Sequence, residues 1–224
     1  MTSMPMRRSR RHAQSGFTLV EIAIVLVIIG LLLGGVLKGQ ELIENGRVKS
    51  AAADMNGIAA AYNSYLDRYR RLPGDDVGAV VARGVSWTGV TAGDGNGVIV
   101  APAAFTGADE SAGFFQHLRA AGFITGNPAA TAADALPINA WGGLTTVVNV
   151  GAIQGRPAGA RLLVCTGNVP GKSAGALDVQ LDDGNPALGA FRATTSVGAN
   201  TVPGAAAAAP YVEDNTYTVC RDLG

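Results

Sequence analysis

The most regular feature of the chain is an apolar run at residues 17–37 that contains no charge after Glu21. As a helix this run reaches about 31 Å, against roughly 30 Å for the hydrocarbon core of a bilayer, so it is long enough to cross one. The pattern then changes. Val48, Ala51, Met55, Ile58, Tyr62, Tyr65 and Tyr69 recur at alternating intervals of three and four, which places them on one helix face. Glu44, Arg47, Lys49, Asp54, Asn56, Asp67 and Arg68 occupy the rest of that helix. Such a stripe is a packing seam, here directed at the C-terminal part of the chain, rather than a cofactor box. The helical pattern over 17–71 stops at Leu72-Pro73-Gly74, because the residue before proline avoids the helical region and a glycine follows.

Beyond residue 73 the periodicity shortens. Brief β-rich runs at 98–100, 145–150, 161–165, 189–194 and 216–220 alternate with Gly, Asn and Asp turns. The 31 glycines in 224 residues are about twice the usual share, which fits a turn-rich domain. Asn96-Gly97 before Val98 is a hairpin signal. Two short helices interrupt the strands. One contains Phe114, Phe115, His117 and Leu118, opens near Asp109 and closes at Gly122; the other covers about 173–180. The alanine run at 205–209 lies between Gly204 and Pro210 and reads as a surface loop. Residues 73–224 are numerous enough for one domain of ordinary size.

Charge gives the apolar run a direction. Arg7, Arg8, Arg10 and Arg11 precede it, so the positive-inside rule keeps the N-terminus cytoplasmic and places the chain after Leu37 outside. A secretory signal fits less well, since the run is too long, no small-x-small cleavage site follows it, and Glu21 stands at its entrance. The hexapeptide Gly16-Phe17-Thr18-Leu19-Val20-Glu21, with its basic leader and apolar sequel, resembles the prepilin processing site of type IV pilins and type II secretion pseudopilins. The resemblance covers about residues 7–72. It implies cleavage after Gly16 by a prepilin peptidase, methylation of the new amino group of Phe17, and an assembly role for Glu21. It also implies an α+β fold in which a long N-terminal helix packs against a C-terminal antiparallel β-sheet. The expected organisation is then a removed leader at 1–16, a transmembrane and assembly segment at 17–37, an amphipathic helical half at 38–72 and a periplasmic or extracellular globular domain at 73–224.

The function implied is that of a structural subunit, major or minor, of a type IV pilus. It would be held in the inner membrane by a single pass and polymerised with homologous subunits, by the pilus machinery, into a filament at the cell surface. The alternatives are a pseudopilin of a type II secretion apparatus and a periplasmic adhesion or binding domain that uses the helix only as an anchor. One departure from the family pattern is visible: many pilins carry a proline shortly after the apolar run, where this chain has Lys38 and Gly39. Gly30, Gly34 and Gly35 are a better place for the helix to bend, and Gly30 and Gly34 have the small-xxx-small spacing that allows close helix contact in a membrane.

A carboxylate inside an apolar span is costly, by roughly 2.5–3.5 kcal/mol for comparable charged residues at a helix centre, and such residues are usually functional. Glu21 has two readings. Locally, it can pair with the N-terminus of its own helix, whose unpaired N–H groups and dipole favour an anion. The resemblance implies instead a contact with the Phe17 ammonium of a neighbouring subunit, which is mostly cationic at neutral pH.

Loss of the leader changes the balance from 17 basic and 17 acidic residues to 13 and 17, a formal −4, and leaves His117 as the sole histidine. An acidic mature chain without a basic, aromatic-interleaved patch gives no reason to expect nucleic-acid binding. Cys165 and Cys220, the only cysteines, follow the membrane segment and so face an oxidising compartment, where a disulfide between them is the default. In pilins such a bridge frames an exposed C-terminal loop region, which here would hold residues 172–219. No nucleophile elbow, HExxH, phosphate loop or dinucleotide fingerprint occurs, so no enzyme site and no cofactor are expected. His117, among Phe114, Phe115 and Leu118, reads as a packed structural histidine. Asp94-Gly95-Asn96-Gly97 resembles the start of a calcium loop but has Val98 where a third ligand would stand. Asp75-Asp76 and Asp182-Asp183 are acidic turns that can converge on it, making Asp94, Asn96, Asp182 and Asp183 the candidate calcium ligands. A plain turn role is the simpler reading.

Overall fold

The structure, a computed structural model, describes residues 17–79, 83–149, 153–157 and 161–223. The chain divides into two compact units, Met1–Ile43 and Glu44–Gly224. The leader and Gly16 lie outside the described residues, as does Val150 at the end of an expected strand.

Helix α1 runs over Leu19–Tyr69 and supplies all the regular structure described in the first unit. It ends as the sequence dictates. Arg70 takes a left-handed conformation with φ 53°, a common helix terminator, and Leu72-Pro73-Gly74 then turns the chain away.

In the second unit the expected stripe is the buried face. Val48, Ala51, Ala52, Met55, Ile58, Ala61 and Tyr65 are buried, and Tyr62 and Tyr69 pack against the core at its margin. Helix α2 covers Glu110–Ala120 and α3 covers Gly171–Leu181. Four strands, β1 (Thr145–Val148), β2 (Leu163–Pro170), β3 (Phe191–Ser196) and β4 (Thr216–Asp222), form one sheet in the order β1-β2-β4-β3. Every neighbouring pair is antiparallel. The strands are rich in Val, Thr, Phe and Tyr, which suit a pleated, packed surface. Helix α3 packs on β2, β3 and β4, and α2 on β1. The long N-terminal helix and antiparallel sheet are those of the expected α+β class.

Cys165 and Cys220 face each other across the β2–β4 pair and are joined by a disulfide at a sequence separation of 55. Closing so long a loop restricts the unfolded chain by about 4 kcal/mol in the chain-entropy account. The segment enclosed is more than an exposed loop. It carries α3, β3 and most of β4, and Leu177, Phe191, Ala193 and Tyr217 from it lie in the core.

One expected strand is absent. Residues 98–100 are irregular, and Asn96-Gly97 does not turn a hairpin. The N–H groups that a ladder would use are taken by side chains. The Asp75 carboxylate accepts from Gly95 at 2.7 Å, Asn96 at 3.0 Å and Gly97 at 2.8 Å. Asn96 Oδ1 accepts from Val98 N–H at 2.8 Å, and Glu110 from Val100 N–H at 2.6 Å. Gly93 lets this loop lie against Asp75, since a Cβ there would come within 2.2 Å of the Asp75 Cα. Ile99 and Ala101 still reach the core, so the apolar signal was real although the ladder is missing.

Candidate functional site

In the first unit the side chains of α1 meet almost nothing. Residues 17–37 are exposed on all sides, with Phe17 at 85% and Leu37 at 67%. A helix apolar all round belongs in a membrane or inside an assembly. No neighbouring atom lies within 4 Å of where a Cβ would stand on Gly30, Gly34 or Gly35, so their small faces are open.

Glu21 closes the start of this helix. Its Oε2 accepts from Thr18 N–H at 2.8 Å and from Thr18 Oγ1 at 2.9 Å, while Thr18 Oγ1 accepts from Glu21 N–H at 3.2 Å. This reciprocal pairing is a capping box, and Thr18-x-x-Glu21 is its sequence signature. The local reading of Glu21 thus has a specific partner, Thr18, that the sequence offered and the dipole argument passed over. Among the described residues the second carboxylate oxygen has no hydrogen-bond partner.

The second unit begins with an anchor on α1. Glu44 Oε1 accepts from Trp141 Nε1 at 2.6 Å and from the Ser173 hydroxyl, and its other oxygen pairs with Arg47 at 3.3 Å. Partial burial opposes ionisation of Glu44. The hydrogen bonds from Ser173 and Trp141, with Arg47 beside them, outweigh it and hold the carboxyl below its ordinary value. These bonds tie the helix to the chain ahead of β1 and to α3.

Further along α1 the seam carries a polar knot. Asp76 is 1% exposed; its Oδ2 accepts from the Tyr65 hydroxyl at 2.7 Å and pairs with Arg83 at 2.6 Å, and its Oδ1 accepts from Gly78 N–H at 2.9 Å. The Arg83 guanidinium lies over the rings of Tyr69, at 4.2 Å, and Trp87, at 4.9 Å. Burial works against the charged form of Asp76, yet the bonds from Tyr65 and Arg83 keep its carboxyl below the usual range.

His117 is fully buried beside this knot, its ring stacked on Tyr65 at 6.0 Å. Nδ1 accepts from Gly74 N–H at 2.8 Å, so Nε2 carries the proton and donates to the Thr91 carbonyl at 2.7 Å. The expected structural histidine is therefore a neutral, tautomer-locked strut. Burial lowers its pKa, with Arg83 adding to the effect while the Thr91 carbonyl and Asp76 oppose it. A proton on Nδ1 would break the Gly74 bond. The sign follows: the folded pKa lies below the unfolded value near 6.5, so the unfolded chain binds the proton first and acid destabilises the fold. The denaturation midpoint of the full chain in neutral detergent should fall as pH drops below about 6.5. A midpoint that stays flat through that window would contradict this assignment.

The acidic candidates do not converge as one set. Asp75, Asp94 and Glu110 form one group whose ligand atoms lie within 4.8 Å of one another, and Asp178, Asp182 and Asp183 form another. Asp182-Asp183 therefore does not join Asp94 and Asn96. Both groups are occupied with turn building. Asp94 accepts from the backbone and side-chain amides of Asn96, Asp182 from Phe191 N–H, Asp183 from Asn185 N–H, and Asp178 from the Tyr211 hydroxyl. Asp75 and Asp178 belong to these groups beside the candidates Asp94, Asp182 and Asp183.

Residues 11–37 match the family model described as the prokaryotic N-terminal methylation motif. The major type IV pilin PilA1 from Clostridium difficile is similar over 81% of this chain and 96% of its own, at 14% identity and a TM-score of 0.37, a likeness too distant to argue from. No curated protein matches the sequence. The matched residues run into α1, whose apolar side chains up to Leu37 are exposed. The match covers the motif and the apolar run, and does not extend into the domain after them.

Proposed function

We propose that this chain is a subunit of a type IV pilus, anchored in the inner membrane by residues 17–37 with the domain after it on the outer side, and polymerised through that helix. One observation carries the reading: the matched motif leads into a helix segment whose apolar side chains are exposed on every face. Water is a poor solvent for such a segment, and lipid followed by the packed helices of a filament serves it in both states. Prepilin peptidase cuts after Gly16, the amino group of Phe17 is methylated, and Glu21 acts in assembly. Homologous subunits are the partners, brought together by the assembly machinery.

Two measurements test this. Intact-mass analysis of native protein should show a chain that begins at methyl-Phe17; recovery of the Met1 form from a strain with active peptidase would refute the processing step. Mechanical shearing of cells should release the chain in surface filaments. Retention in the envelope under shearing would move the assignment to a pseudopilin or to an anchored domain.

A further inference from the structure

Three guanidiniums line one small cavity at the edge of the sheet, and among the described residues two of them have no carboxylate within ion-pair distance. The cavity holds about 280 Å³ and includes Arg156, Arg161, Arg192 and Asp222 among its walls. Arg156 is 9% exposed, and Arg192 is half-buried. Among the described residues neither forms an ion pair. They are held by neutral acceptors instead. Arg156 donates to Gln154 Oε1 at 3.1 Å and to the Ala190 carbonyl at 2.7 Å; Arg192 donates to the Gly189 carbonyl at 3.0 Å and the Gln154 carbonyl at 2.9 Å.

Gln154 is the keystone of this arrangement. It is fully buried, its side-chain amide donates to the Thr218 carbonyl, and it stands in a left-handed conformation with φ 52°. Gly155 follows with φ 75°, so Ile153 and Arg156 pair across a tight turn with two positive-φ centres. For a glutamine that backbone is strained, and strain of this kind is kept where the surroundings fix a side chain in place. Here it fixes Arg156 beside Arg192.

We propose that this cavity binds an oxyanion, a carboxylate or phosphate group carried by a small soluble ligand. A largely buried guanidinium without a counterion is unfavourable, and planar forks bind such oxyanions through paired N–H donors. Arg161, 60% exposed at its side chain, pairs with Asp222 at 3.4 Å and can turn toward an entering anion. Asp222 and the nearby Asp182 oppose the cations, leaving three positive groups against two negative ones among the described residues. Burial and the neighbouring Arg192 and Arg161 lower the pKa of Arg156, whereas Asp222 and Asp182 raise it. Nothing in the assembly reading requires this cavity, because its lining residues belong to the second unit and residues 17–37 to the first.

Calorimetric titration of the full mature chain in neutral detergent tests the site, with inorganic phosphate and glucuronate as separate probes at constant ionic strength set by chloride. Saturable binding of either probe supports the proposal, and which one binds identifies the phosphate or the carboxylate source. Arg192→Gln and the more exposed Arg161→Gln should each weaken binding about tenfold or more, the size expected for a lost charge-assisted hydrogen bond. Lys172→Gln, outside the cavity, should leave affinity unchanged. Circular dichroism confirms that each variant is folded. Absence of saturable binding by both probes, or equal affinity in folded Arg192→Gln and Arg161→Gln, overturns the proposal.

Discussion

Glu21→Ala subunits are expected to enter the membrane at wild-type levels and to fail in polymerisation. Removing the carboxylate makes the anchor more apolar, so insertion has no reason to fall. In a filament core the Phe17 ammonium of a neighbour would lose its counter-charge, and breaking a buried pair from one side costs about 3–5 kcal/mol. Over one subunit contact that is roughly a hundredfold or more in association. The capping box supplies the competing explanation, since Glu21 also holds Thr18 N–H and Thr18 Oγ1. Thr18→Ala separates the two. It removes the hydroxyl half of the box, worth about 0.5–2 kcal/mol of helix end, and leaves the carboxylate in place. Intersubunit pairing requires Thr18→Ala to assemble near normally and Glu21→Ala to accumulate as membrane monomer. Equal assembly defects in the two variants would assign Glu21 to capping alone, and wild-type assembly of Glu21→Ala would remove both roles. Sparse Glu21→Ala subunits among wild-type ones should be partly rescued, because each still offers its own Phe17 cation.

Much of the fold was legible because it rests on local repetition. The three-four spacing names Val48, Ala51, Met55, Ile58 and Tyr65, which the structure buries, though not Ala52 and Ala61 beside them, and Leu72-Pro73-Gly74 marks the helix end to within a few residues. All four strands were visible as β-branched and aromatic runs, although β2 extends further, through the irregular Gly167-Asn168 step to Pro170. What escaped depends on partners distant in sequence or on side chains replacing backbone bonds. Glu44 meets Trp141 and Ser173 at separations of 97 and 129 residues, which no window of sequence can show. Val98, Ile99 and Val100 look like a strand because burial of alternate apolar residues has the same signature with or without a ladder. Asp75, taken with Asp76 as one acidic turn, faces the 94–97 loop, whereas Asp76 faces Tyr65 and Arg83. The two residues sit where a turn gives way to a short 3-10 helix, and the targets of their side chains are set by the tertiary fold. The methylation motif was legible for another reason: it is a run of neighbouring residues that can be matched without reference to the fold.

Asp76→Ala is expected to destabilise the second unit by about 3–5 kcal/mol, the usual result of removing one member of a buried ion pair. The carboxylate satisfies three groups at once: the Arg83 guanidinium, the Tyr65 hydroxyl and Gly78 N–H. Without it Arg83, whose side chain is 19% exposed, remains at the Tyr69 and Trp87 rings with the Tyr65 hydroxyl as its one acceptor among the described residues. The ring contacts attract the cation but do not neutralise it. The loss should be measured by denaturant unfolding of the full chain in detergent, followed by tryptophan fluorescence, because Trp87 reports on the knot directly. Arg83→Met in the Asp76→Ala background should restore part of the stability, since it withdraws the stranded charge while keeping an apolar body against the rings. A double variant no more stable than Asp76→Ala would mean that the Tyr65 and Gly78 bonds, rather than the charge, carry the effect. Acid provides an independent check with a determined sign. The carboxyl is held below its ordinary value in the fold, so its contribution is complete above about pH 4 and is lost as pH falls through the folded pKa. Wild-type protein should therefore show a second, more acidic loss of stability below the His117 transition; in Asp76→Ala that loss should be smaller, with the part due to Glu44 remaining, and the transition near the histidine range should be retained.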